Sequence, residues 1–135
     1  MIQILLIFND WASLLLRVTF GIIFLVHGWS KIKNLRETGQ NFEMMGFKPG
    51  SLWGTGIAII EFFGGLFLIA GLFTSITALI LAFEMIVTTI WKIIRRQKLI
   101  GGYELDLALL VSLLVLATIG GGIYSLDTYW GILLI

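Results

Sequence analysis

Four apolar stretches, parted by polar or glycine-marked breaks, set the pattern of this chain. They run over about 11–31, 54–73, 74–94 and 102–122. Each has roughly 20 residues, the length at which an α-helix rising 1.5 Å per residue crosses a hydrocarbon core. A single strand cannot cross lipid without exposing its backbone donors and acceptors. The pattern therefore predicts an all-α polytopic membrane protein, a four-transmembrane-helix bundle formed as a single membrane domain over 1–135.

The breaks differ in kind. Asn9 and Asp10 precede the first stretch and suit a helix start. Only Phe73, Thr74 and Ser75 separate the second stretch from the third, which predicts a tight antiparallel hairpin. The first and second stretches are joined by KIKNLRETGQNFEMMGFKPGS, whose Pro49–Gly50 pair marks a turn just before the second helix. Ile32, Leu35, Phe42 and Met45 predict that part of this connection lies on the membrane surface. The third and fourth are joined by KIIRRQKLIGG. The opening MIQILLIFND has neither a basic n-region nor a small-residue cleavage site, so the membrane segments themselves are expected to direct targeting.

Composition agrees with that class. Hydrophobic residues make up 59 % of the chain and charged residues 13 %, about half the usual share of a soluble domain. Mean hydropathy is +1.02. A formal charge of +1 gives no reason to expect a nucleic-acid partner. The absence of cysteine excludes disulfide exchange, thiolate metal sites and cysteine catalysis within the chain.

Charges inside the apolar stretches are the candidate chemistry, because an ionisable group at membrane depth needs a partner. Glu61 lies near the middle of the second stretch, with Gly64 and Gly65 after it to admit a neighbouring backbone. Arg17 in the first stretch and Glu84 in the third are the other buried charges. Counting depth along the helices predicts that Arg17 pairs with Glu61 across the first and second helices, with Glu84 as a further partner. Two acids and one base cannot all be charged cheaply there, so one acid should carry a proton. The trio reads either as a proton-handling or ligand site or as a structural ion pair.

A second group is expected toward the basic connections. His27 and Lys31, four apart, share a helix face, and Glu104 opens the fourth stretch at a similar depth with Asp106 close by. Glu104 equally suits a helix start as an anion on the dipole, and His27 a hydrogen-bonded structural role. One histidine cannot supply both axial ligands of a haem, and no histidine–acid metal triad is visible, so no metal site is expected. Ala108 and Ser112 continue the face of Glu104 and predict close helix packing there. Trp11, Trp29, Trp53, Trp91 and Trp130 sit near predicted helix ends, as an interfacial aromatic belt would place them.

The runs LLLRVTFGIIFLVHGWSK, IIEFFGGLFLIAGLFTSITAL and ELDLALLVSLLVLATIGGGIYSLD together resemble the DoxX family of small four-helix membrane proteins. The matching positions include Arg17, Gly21, Phe24, His27, Gly28, Lys31, Pro49, Glu61, Gly64, Gly65, Gly71, Glu104, Ser125 and Asp127, spread from about Leu14 to Asp127. Gly120-Gly121-Gly122 departs from the family pattern, which often has a proline between glycines, and Glu84 is not matched to it. The resemblance implies the fold and, by association with the membrane subunit of thiosulfate:quinone oxidoreductase, a redox or quinone-linked role.

Three functions stay open at this point. The first is an integral membrane subunit of a quinone-linked redox or oxidative-stress system. In it a bound quinone would sit between the helices, with Arg17 and Glu61 as the inner wall and His27, Lys31 and Glu104 at the mouth. It requires an electron-donating redox partner protein and leaves room for a homo-oligomer. The second is a small proton- or solute-conducting transporter. The third is a non-catalytic membrane scaffold. In all three the lipid bilayer is the surroundings, Gly21, Gly28, Gly64, Gly65 and Gly71 serve helix packing, and the catalytic residues, if any, are not identified.

Orientation follows from charge. Lys31, Lys33, Arg36 and Lys48 flank the first connection, and Lys92, Arg95, Arg96 and Lys98 the third. The positive-inside rule places both in the cytoplasm, and both termini outside, for a chain in the cytoplasmic membrane. The chain has no cysteine, so single cysteines at Lys98 and Met1 report this cleanly. An impermeant thiol reagent applied to intact cells is expected to label the Met1 site and spare the Lys98 site, and the reverse pattern inverts the topology.

Overall fold

The computed structural model describes residues 2–131, with side chains from residue 4 onward. Met1 and 132–135, which the expected domain and the Met1 labelling site include, lie outside the described residues. Every regular element among the described residues is helical. Helix α1 (Ile2–Leu6) leads to α2 (Asn9–Lys33), and α3 (Leu35–Met44) follows it at once. Then come α4 (Gly50–Ala70), α5 (Thr74–Ile94), a broken turn over Leu99–Tyr103, α6 (Glu104–Ile119) and the short α7 (Leu126–Tyr129). The segments Asn9–Lys33, Gly50–Ala70, Thr74–Ile94 and Leu99–Ile119 are each long and apolar enough to cross a membrane.

Local chemistry explains where the helices stop. Pro49, with extended ψ of 133°, starts α4 four residues ahead of Gly54. Gly71 ends it in the left-handed region at φ 72°, where the Gly71 and Leu72 amides return to the Leu68 and Phe67 carbonyls. The 54–73 stretch thus contains a helix end that apolar content alone conceals. In the same way Gly120, at φ 73°, closes α6 three residues before Gly122.

The helices pair unequally. The most extensive contacts join α2 to α4 and α5 to α6, and α3 lies on the start of α4. Helices α4 and α5 touch less, although only Gly71–Phe73 connects them. The α2–α4 pair is close because glycines line it. A Cβ on Gly65 would stand 2.6 Å from the Gly21 carbonyl oxygen, and one on Gly21 would stand 2.8 Å from the Gly65 oxygen. A Cβ on Gly28 would stand 2.7 Å from the Phe62 Cα. Gly64 faces the other way, against Leu81 of α5. Phe24, Leu68, Leu81, Leu113 and Leu116, all nearly inaccessible, fill the interior toward the end that carries the termini. Outside, large apolar side chains such as Ile22, Ile59, Phe63, Phe83 and Val111 are exposed around the bundle, a surface suited to lipid.

On α6 the packed face is Asp106, Leu109, Leu113 and Leu116, whereas Glu104 and Ala108 are exposed and Ser112 is half-buried. The expected Glu104–Ala108–Ser112 packing face is therefore corrected. Leucine and valine surround this helix, so small residues alone did not show which side turns inward.

Gly65→Leu is expected to destabilise the fold by about 3 kcal/mol, the upper part of the range for overpacking, because its side chain meets backbone that cannot rotate away. Gly56, with nothing within 4 Å of a built Cβ, supplies the control: Gly56→Ala should melt no lower than the parent. Thermal unfolding in detergent compares the two.

Candidate functional site

A cavity of about 430 Å³ lies among α2, α3, α4, α5 and α6, at the end of the bundle that carries the basic connections. Gly28 determines its inner chemistry. Its missing side chain lets the backbone at Glu61 and Phe62 come against α2, and Lys31 follows one turn later on the same face. The Lys31 Nζ donates to both Glu61 oxygens at 2.7 Å, with the Glu61 side chain 3 % exposed and that of Lys31 30 %. Glu84 of α5 lies against Glu61, near Lys31 and Asp106, and its Oε2 has no hydrogen-bond partner. Deeper into the basic end Lys92 pairs with Asp106 at 2.5 Å and also donates to the Gly102 carbonyl at 3.4 Å. The cavity wall thus holds three carboxyl groups, Glu61, Glu84 and Asp106, against two ammonium groups, Lys31 and Lys92.

The rest of the lining is apolar and aromatic. Trp53 and Ile57 of α4, Met85 and Trp91 of α5, and Phe42 of α3 border it, and His27 stands exposed on its rim. The indole Nε1 of Trp91 donates to the Met45 carbonyl at 3.1 Å and ties the segment after α3 to α5. A largely apolar cavity of this kind, with a few charged groups converging at one side, resembles ligand sites generally.

Lys31, Glu61, Glu84 and His27 meet at this cavity, but Arg17 and Glu104 do not. The expected Arg17–Glu61 pair is absent. In the register set by Gly28 opposite Glu61–Phe62, Arg17 lies eleven residues farther along α2, about 16 Å of helix rise. The depth count assumed helices aligned end to end, whereas α4 is displaced toward the basic end. Arg17, 0 % exposed, instead donates from Nη1 to the Leu68 and Ile69 carbonyls at 3.2 and 3.3 Å and from Nη2 to Tyr124 O at 2.9 Å. The Leu68 and Ile69 carbonyls lie at the C-terminal, negative end of α4, beside the Gly71 turn.

Asp127 completes this outer cluster. It accepts the Phe73 and Thr74 amides at 2.5 and 2.9 Å, capping the start of α5, while its own amide donates to Gly71 O at 2.9 Å. Ser13 Oγ donates to Gly120 O at 3.0 Å, and Asp10 Oδ1 accepts the Ile123 amide at 3.2 Å. The cluster fastens 120–129 across the α4–α5 turn. Gly71 belongs to it as a left-handed turn whose Cβ would stand 2.5 Å from the Ser125 Cβ, not as a helix-packing position. Glu104 is exposed and accepts the Gly101 amide at 3.2 Å.

The sequence showed Lys92 only as a topology charge and Asp106 only as a neighbour of Glu104, and did not show the part that these two, Trp53 and Trp91 take in the cavity. A signal for Asp106 was present: Asp106, Leu109, Leu113 and Leu116 recur at steps of three and four, a single helix face.

The cluster implies an asymmetry in stability. Lys31→Met leaves Glu61 and Glu84 facing each other without a cation and should cost about 1–3 kcal/mol, below the ~3–5 kcal/mol of a fully buried pair because Lys31 is part-exposed. Glu84→Gln removes an unpaired carboxylate oxygen and should hold or raise the melting temperature. Thermal unfolding of both variants checks the order, and a large loss in Glu84→Gln would mean that Glu84 is a partner the bundle needs.

The sequence matches the DoxX family model over residues 12–92. It is 36 % identical over 118 residues to the Bacillus subtilis protein named "Putative oxidoreductase CatD", which covers 87 % of this chain and 86 % of that relative. It is 31 % identical over 121 residues to the "Inner membrane protein YqjF" of Escherichia coli, covering 88 % and 92 %. No solved structure matches it. Its four membrane-length helices and these relatives lead to one conclusion: the chain is an integral membrane protein and belongs to the DoxX family.

Proposed function

We propose that the protein is the quinone-binding membrane subunit of a redox system, with the quinone head group seated in the cavity at Lys31, Glu61 and Glu84. The carrying observation is the Glu84 Oε2, a buried carboxyl oxygen without a partner, in the wall of a largely apolar cavity of about 430 Å³. The donor set fits such a ring. The Lys31 ammonium has a third N–H beyond the two it directs at Glu61, and a carbonyl oxygen is a suitable acceptor for it. Trp53 and Trp91 offer aromatic faces, and the volume lies within the range of small-ligand pockets.

A bound quinone supplies two-electron chemistry, taking up two electrons and two protons to become the quinol. This chain's part is to hold the ring, exclude bulk water and deliver the protons. Glu84, with Glu61 beside it, is placed to keep and release a proton, and His27 on the rim is placed to reload it. The electrons come from a partner protein, since one histidine and no cysteine supply neither the paired axial histidines of a haem nor the thiolates of an iron–sulfur cluster in this chain. The word oxidoreductase in the name of the Bacillus subtilis relative supports the redox reading. With the basic connections in the cytoplasm, the cavity mouth draws its protons from there.

The packing supports a one-sided site over a conducting path, because Phe24, Leu68, Leu81, Leu113 and Leu116 fill the interior beyond Glu61. A pure scaffold gives no account of the Glu84 Oε2, buried without a partner in the cavity wall.

Organic extraction of protein purified in mild detergent, followed by mass spectrometry, tests the proposal. The parent is expected to carry quinone, Lys31→Met and Glu84→Gln to lose most of it, and Gly56→Ala to retain it. A parent that carries none, and whose tryptophan fluorescence does not respond to added quinone, sinks the reading.

A further inference from the structure

A second hollow lies on the lipid-facing side of the same two helices. It has a volume of about 390 Å³, and Thr77 is the only polar residue lining it. Its place relative to the cavity follows from helix periodicity. Along α4 the residues Trp53, Ile57, Ile60, Gly64 and Phe67 recur at steps of four and three, so they form one stripe. Trp53 and Ile57 line the cavity, and Ile60, Gly64 and Phe67 line the hollow. Along α5 the stripe Trp91, Val87, Glu84, Ile80, Thr77 and Phe73 does the same, passing from cavity to hollow between Glu84 and Ile80. On both helices one stripe thus runs from the cavity to the hollow, a seam charged at the basic end and apolar toward the α4–α5 turn. At Gly64 the α4 backbone rests on the buried Leu81 side chain, which with Gly64 lines the hollow, and the contact between α4 and α5 is limited. Val87 and Trp53, both exposed, line the cavity where it meets the lipid side.

From this shared stripe we infer that the ligand is a long-tailed, lipid-dissolved quinone, not a water-soluble one: it enters sideways from the bilayer and lays its tail along the α4–α5 groove. The inference rests on the quinone reading and adds the class of substrate and its route. From Glu84 to Phe73 the groove offers about 16 Å of helix rise, room for the first isoprene units of a tail. The bilayer is as apolar as the groove, so burying the tail adds little hydrophobic free energy. The tail's direction is fixed by the seated head group, and that separates it from an annular lipid chain.

Photolabelling of the purified full chain in nanodiscs tests this, with a quinone analogue carrying a diazirine near the start of its tail. Label is expected at Ile60, Phe63 and Ile80 severalfold above the outward positions Leu15 and Val111, and should fall when an excess of a short-tailed quinone occupies the head site. Labelling that is uniform, or that ignores the competitor, means ordinary lipid fills the groove and overturns the inference. A cross-linked dimer through the seam means a second copy covers it and does the same. Ile60→Trp, a change at a half-exposed lipid-facing position, should weaken the long-tailed analogue severalfold and leave the short-tailed one unchanged, and equal binding of both analogues to parent and variant overturns the groove. A short-tailed quinone that binds while the seam is not labelled leaves the quinone reading standing without the groove. Failure of both analogues to bind removes the two together.

Discussion

The close approach of α2 and α4 at Gly21, Gly28 and Gly65 is the constraint on which the other contacts depend. Between apolar helices in lipid there is little hydrophobic gain from contact, so shape decides which faces meet. Three glycines in facing positions permit one register only, since sliding α4 by a turn would set Leu25 or Phe62 where a Cβ already has no room. That register displaces α4 toward the basic end, leaves its first residues beyond the end of α2, and gives α3 a surface on which to lie. The cavity is the space enclosed by that displacement, roofed by α3 and floored by Glu61.

The same register sorts the buried charges between two ends. Arg17 comes level with the end of α4, and the guanidinium spreads its donors over two carbonyls of that helix end, Leu68 and Ile69, and over the Tyr124 carbonyl beyond α6. A planar group with several fixed donors suits that task better than an ammonium would. Lys31 comes level with Glu61, where its long stem crosses to a carboxylate from a backbone contact that leaves little room for bulk. The outer cluster therefore joins backbone to backbone and stabilises the α4–α5 turn. The inner cluster joins side chain to side chain around a space, where a ligand can exchange partners with the protein.

The class and the helical architecture were legible because hydropathy and length are one-dimensional signals, and a bilayer leaves few alternatives. The ends of α4 were half legible. Pro49 marked the start, but Gly71 looked like another packing glycine until its positive φ and its contacts with Arg17 and Ser125 were seen. Pairing was not legible. Arg17, Glu61, Lys31 and Glu84 could be ranked by depth within each helix, but the offset between helices depends on which glycines face which backbone, a two-body property. The inward face of α6 posed the same difficulty, since a helix apolar on all sides shows its orientation through one aspartate, Asp106, and not through a polar face.

Glu84 is where stability and function part company. Lys31 and Glu61 already satisfy each other with two short hydrogen bonds, and Lys92 already has Asp106. A third carboxyl group beside them adds repulsion and desolvation without a new cation to offset either. The packing does not require it, because its neighbours Ala82, Met85 and Leu81 hold α5 in place through apolar contact. Beside the ion pairs Lys31–Glu61 and Lys92–Asp106, a further carboxyl group facing the same cavity has the form of a site whose partner arrives from outside. In the proposed reading that partner is the quinone carbonyl, an acceptor for the O–H of a protonated Glu84, and the excess of one carboxyl over the available ammonium groups is what makes a proton transferable there: a fully matched cluster would hold its protons and its ion pairs alike.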